Sequence, residues 1–165
     1  MKVLFVSSSI ESKFNPFLNA VKNLDIFLEI CYYPNFNLSI YDRIKFKFLV
    51  HSSIKKYNQL IIKKIDYKKY DLVIVVKGMY IYKSTTLMLR KCTNNLVFWS
   101  NDDISLKHNN SIFLRNSLRY YDMVYTMKIL NILNFELSKF KVKNIEYILQ
   151  CYSDELSSLA IIERN

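Results

Sequence analysis

At 165 residues the chain has the length of one domain and can bury a real core without disulfides or metal. Hydrophobic residues make up 51% and aromatic residues 15%, with one glycine and two prolines, which excludes a disordered, collagen-like or linker-rich polypeptide. The formal charge is +10, from 24 basic and 14 acidic residues, and nineteen of the basic residues are lysine.

That excess has two readings. Lys, Asn, Ile, Phe and Tyr share A/T-rich codons, so a base-biased genome raises them together. The alternative is a surface that draws an anionic partner. Scarce arginine argues against nucleic acid, because Arg is the preferred reader of bases and phosphates. Cys31, Cys92 and Cys151 are far apart and form no CxxC or Cys/His pattern, so no metal site is expected. An odd thiol count fits a reducing compartment. The apolar start over 3–6 is too short for a signal peptide, and no run approaches the ~18 apolar residues of a membrane span. A cytoplasmic protein without a transmembrane segment is expected.

The elements follow in chain order. Residues 3–6 form a continuous apolar run, the pattern of a strand buried on both faces. A serine loop follows, then Asn15 and Pro16 open a helix with Phe17, Leu18, Val21 and Leu24 at helical spacing. A second strand is expected over 26–33. The basic stretch 41–65 reads as two helices with a break near Ser52 and Ser53. Val50, Ile54, Tyr57, Ile61 and Ile65 share one face, and Lys55, Lys56, Lys63 and Lys64 point away from it. Residues 71–77 form the clearest strand, running into Gly78. Ser84 opens a short helix, 96–99 is a strand, 112–118 a helix and 123–126 a strand. Ile129, Ile132, Leu133 and Leu137 mark another helix, 145–149 the last strand, and a short helix is expected after Asp154. There is no evident internal repeat.

Strands alternating with helices predict an α/β fold: a single Rossmann-like domain over 1–165, with a mostly parallel sheet and helices on both faces. Ligands of such sheets lie beyond the carboxyl ends of the strands. The loops to inspect are therefore 7–13, 77–82, 100–107, 127–128 and 150–154. With one glycine, neither GxGxxG nor a Walker A loop can exist, and no cofactor is expected.

Four candidate features lie in those loops, and a fifth, His108, lies just beyond one of them. Ser7 and Ser8 can donate hydrogen bonds at the first strand–helix turn, or form an ordinary polar loop. Lys77 can offer a point charge to phosphate or carboxylate. Gly78 can take a positive φ or admit a ligand to the backbone. Asn101, Asp102 and Asp103 follow the strand that holds the only tryptophan. The aspartates can act as base, bind sugar hydroxyls or cap a helix. His108 can be a base or a hydroxyl ligand, or neither.

The segments Asp71-Leu72-Val73-Ile74-Val75-Val76-Lys77-Gly78, Ser84-Thr85, Leu96-Val97-Phe98-Trp99-Ser100-Asn101-Asp102-Asp103 and Tyr121-Asp122-Met123-Val124-Tyr125-Thr126 together resemble the N-terminal domain of CgeB-like glycosyltransferases. These are GT-B proteins of the spore-maturation type. The resemblance runs over nearly the whole chain. It implies the acceptor side of an interdomain cleft, with Ser8, Lys77, Gly78, Asn101 and Asp102 facing it. It further implies transfer of a sugar from a nucleotide-sugar to a hydroxyl acceptor such as a glycan. The donor-binding C-terminal half is expected from outside these residues, as a partner chain or domain, and the chain alone is expected to be inactive. A homo-oligomer, or a non-catalytic module that binds a protein, glycan or anionic polymer, is the alternative.

Overall fold

The computed structural model describes residues 1–7, 21, 24–32, 44–45, 48, 51–65, 68–137 and 140–149. Strand β3 (Leu72–Val76) is a run of branched aliphatic residues, and Val73, Val75 and Val76 have no solvent exposure. β-Branched side chains favour the extended backbone, and an all-apolar run can sit only where both sheet faces are covered. Around β3 lie β1 (Lys2–Ser7), β2 (Phe27–Tyr32), β4 (Leu96–Ser100), β5 (Met123–Thr126) and β6 (Ile145–Tyr147). The six strands form one sheet in the order β2-β1-β3-β4-β5-β6, and every pairing is parallel. The architecture is α/β and Rossmann-like.

Four helices of the described residues connect the strands: α1 (Ser52–Ile65), α2 (Lys83–Cys92), α3 (Ile112–Ser117) and α4 (Ile129–Leu137). In α1 the expected stripe is the buried one. Ile54, Tyr57 and Ile61 are wholly buried and Ile65 nearly so, while Lys55, Lys56 and Lys63 are exposed. Each such apolar side chain contributes about 2 kcal/mol. Lys63 and Lys64 lie in its last turn, where cations complement the helix dipole.

The main core lies between these helices and one sheet face. It joins Leu4, Val6, Val73, Val75, Leu96, Phe98 and Val124 to Tyr57, Ile61, Leu89, Leu114 and Leu118. Side chains alternate along each strand, so Phe5 and Val76 point to the opposite face. They are wholly buried there beside Leu28, Ile30, Tyr32, Ile74 and Trp99. The helix expected from Asn15 and Pro16 lies largely outside the described residues, as do Val50, Cys151 and the helix expected after Asp154. No helix among the described residues is long and apolar enough to cross a membrane.

The amino edge carries a device that the sequence reading did not separate out. Asp71 Oδ2 accepts the Lys2 N–H at 2.7 Å, and Asp122 Oδ2 accepts the Leu96 N–H at 2.8 Å. Asn95 and Asn144, each just before a strand, donate to the Asp71 and Asp122 carbonyls. The same Asp–Asn stitch thus ties β3 to its neighbours and, again, β5 to its own.

Candidate functional site

The carboxyl ends of the central strands are in register: Ser7 lies beside Val76, Val76 beside Trp99 and Ser100 beside Thr126. The chain leaves β1 towards β2 on one side and leaves β3 towards β4 on the other. The strand order therefore reverses between β1 and β3, the place at which open parallel sheets receive their ligands. Lys77 and Gly78 leave β3 at that point.

Lys77 has a φ of 60°, in the left-handed region. A residue with a Cβ pays about 1–2 kcal/mol there. The ladder nevertheless continues through it, since its N–H donates to the Trp99 carbonyl at 3.2 Å. Its Nζ lies 2.7 Å from Asp102 Oδ2, with side-chain exposures of 29% and 38%. Both groups of the ion pair can therefore be reached by solvent and ligand.

Gly78 does not carry the positive φ expected of it. Its reason is steric. A Cβ at Gly78 would stand 3.1 Å from Val75 Cγ1 and 3.2 Å from Phe98 Cε2, two wholly buried side chains with no room to give. The glycine lets the turn lie flat on the core, and the residue before it makes the sharp bend.

Two buried asparagines hold the loops that bear the pair. Asn58, on α1, donates to the carbonyls of Ile54 and Tyr80 and accepts the Tyr82 N–H, each at 2.8 Å. This bond serves the start of α2, whose cap residue Tyr82 provides no side-chain acceptor. Ser111 reinforces the same loop, for its hydroxyl donates to the Met79 carbonyl while accepting the Leu114 N–H as the cap of α3. Asn131, on α4, has no solvent exposure. It donates to the Asp102 carbonyl at 2.9 Å and to Thr126 Oγ1 at 2.6 Å, and accepts the Ile104 N–H at 2.9 Å. A buried amide with all these bonds made is rigid, because breaking any one leaves a buried polar group unmatched.

The remaining candidates fall in different places. Ser7 is wholly buried, and its carbonyl accepts the Tyr57 hydroxyl at 2.8 Å, which ties α1 to β1. Ser8 lies outside the described residues. Asp103 Oδ1 accepts both the N–H and the hydroxyl of Ser105, closing a local turn, so the adjacent aspartates have different partners. Asn101 Oδ1 is buried and receives no hydrogen bond. His108 is exposed on the turn Lys107–Asn109.

Burial pushes the Cys31 and Cys92 thiols up, and both cysteines are free and buried. They are small core residues, not poised nucleophiles. Burial also raises the Tyr80 phenol in the β3 loop. Among the described residues no three His, Cys, Asp or Glu side chains gather into a metal-binding group. The site is thus a part-exposed Lys–Asp pair on fixed loops, able to donate and accept hydrogen bonds side by side.

Asn58 and Asn131 escaped the sequence reading. Their one signal is local: each is a polar residue inside an apolar helical stripe, between Tyr57 and Ile61 and between Leu130 and Leu133. No protein-family model matches this chain, and no curated protein or solved structure is significantly similar to it.

Proposed function

We propose that this chain is the acceptor-side domain of a GT-B-type glycosyltransferase, in which the carboxyl-edge cleft holds the hydroxyl acceptor and the donor nucleotide-sugar is held by a second α/β body. The observation that carries the reading is the Lys77–Asp102 pair, held at the point where the strand order reverses by a lysine in a strained backbone conformation. In this role Asp102 is the candidate base for the acceptor hydroxyl and Lys77 orients it. The chain has no glycine-rich loop to cradle a diphosphate, and Asp102 already neutralises Lys77, so stabilising the leaving diphosphate falls to the other body.

Exposed apolar residues support a partner over this edge. Leu106, Ile112, Ile129, Leu130 and Leu149 are 45–73% exposed, and all lie in segments that follow the carboxyl ends of β4, β5 and β6. Exposed apolar residues can serve as part of a docking surface. The same residues favour the second reading, a binding module that docks a partner without catalysing transfer.

The test is a titration of the purified chain with a panel of nucleotide-sugars and glycosides, followed by assay for transfer. Glycosides are expected to bind at Lys77 and Asp102, with no turnover of any donor. Robust turnover by the 165-residue chain alone would overturn the division of labour. Absence of any glycoside binding, with a partner protein captured through Leu130 and Ile129, would favour the docking module.

A further inference from the structure

We infer that the Lys77–Asp102 pair recognises two neighbouring hydroxyls of an uncharged sugar, and that it excludes phosphate-bearing ligands. This rests on the acceptor-side reading above and names the chemistry of that acceptor.

Stability does not explain the pair. A part-exposed ion pair contributes about 0–1 kcal/mol, whereas a lysine at φ 60° costs about 1–2 kcal/mol. Glycine at position 77 would relieve that strain, so the pair is not accounted for by stability. Such residues concentrate where a site needs them.

The geometry then selects the ligand. A free ammonium would bind phosphate as a point charge. Here Asp102 Oδ2 is already 2.7 Å from Lys77 Nζ, and an incoming phosphate meets carboxylate as well as ammonium. Like charge next to the cation opposes an anion. A neutral diol meets no such opposition. One hydroxyl oxygen accepts from the Lys77 ammonium, which has three donors, and its neighbour donates to the Asp102 carboxylate, which has free lone pairs. Both groups stay charged and hydrogen-bonded, so neither is stranded when the diol displaces water.

Asn131 and Ser100 both bond the Asp102 carbonyl, so the carboxylate is presented from a fixed loop.

The experiment uses the full chain and three probes: methyl β-galactopyranoside, its 3-deoxy analogue and inorganic phosphate. Binding is followed by NMR at the Lys77 side chain and at the Asn101 and Asp102 amides, at low and high salt. The galactoside is expected to shift these signals with an affinity that changes less than twofold with salt. The deoxy analogue should bind at least tenfold more weakly, and phosphate should leave the signals in place. Asp102→Asn, which keeps the size and the backbone bonds, should weaken the galactoside at least tenfold and create salt-sensitive phosphate binding, because Lys77 is uncovered. An unchanged melting midpoint in Asp102→Asn establishes that the fold is intact. If phosphate or a nucleotide-sugar shifts Lys77 in the wild-type chain and the galactoside does not, the diol inference falls while a glycosyltransferase remains. If the galactoside binds and no donor–partner combination transfers a sugar to it, the transferase reading falls while the diol site stands. Silence of Lys77 towards all three probes overturns both.

Discussion

The two edges of the sheet use the same residue types to different ends. At the amino edge Asp71 and Asp122 are tied to backbone, and the Glu29 side chain from β2 is tied to several cations. Asp71 holds the Lys2 N–H, and Asp122 holds the Leu96 N–H and Arg90 together. Glu29 accepts from Lys68 and the Tyr70 hydroxyl and faces Lys2. These charges close strand ends. At the carboxyl edge Asp102 meets one lysine side chain, and solvent reaches both groups. A carboxylate bonded to backbone is part of the fold, whereas one paired only with a part-exposed side chain can exchange that partner for a ligand.

The sharpest way to break this comparison is to remove one carboxylate from each edge. Asp122→Ala should lower stability by about 2 kcal/mol in urea unfolding, because the Leu96 N–H loses a charged acceptor while the exposed Arg90 pair adds little. Asp102→Ala should change stability by less than about 0.5 kcal/mol. Equal losses would erase the distinction between the edges.

Gly78 tests whether the carboxyl edge also has a structural part. Gly78→Ala should cost about 1.5 kcal/mol, since the new methyl presses on Val75 and Phe98 in a packed core. A neutral result in the same unfolding measurement would place the need for glycine elsewhere. Lys77→Gly should act in the opposite sense, gaining about 0.5–1 kcal/mol by relieving the left-handed backbone. Its glycoside response should vanish, and a variant that is more stable and still binds would remove Lys77 from the site.

The smallest effect is the acid response of the amino edge. Burial alone would raise the Glu29 carboxyl, but hydrogen bonds from Lys68 and Tyr70 and the charges of Lys68 and Lys2 outweigh it and hold the pKa below 4.5. Its stabilisation is therefore fully present above that value and is lost as pH falls through the lowered pKa. Glu29→Gln should flatten the unfolding profile only below about pH 4.5. A difference that persists unchanged into more acidic solution would show that the ionised carboxylate is not the source.

Much of the fold was legible because hydrophobic periodicity is a local signal. The run 72–76 has no polar residue, which suits a strand covered on both faces, and the three–four spacing of Ile54, Tyr57, Ile61 and Ile65 suits a helix with one buried stripe. The 129–137 helix was legible in its extent, but Ile129 and Leu133 are over half exposed, and Asn131 is wholly buried. Periodicity finds a helix without saying which polar atom its neighbours require. The site was legible as a set of loops. Parallel topology alone sends 77–82 and 100–107 to one edge, and Asp102 and Asp103 are indistinguishable until one faces Lys77 and the other closes on Ser105.

By itself, then, the sequence determined an α/β chain, the order of most of its strands and helices, and the edge on which its polar loops gather, because each follows from the spacing of apolar residues along a few turns of chain. Tertiary structure alone decided three things. The bend falls at Lys77 because Gly78 must lie against Val75 and Phe98. Lys77 faces Asp102 across two neighbouring strands. Asn58 and Asn131 hold the loops because helices distant in sequence bring amides to otherwise unmatched backbone groups. Apart from Gly78 against Val75, those are contacts between residues twenty or more positions apart, and no local pattern encodes them.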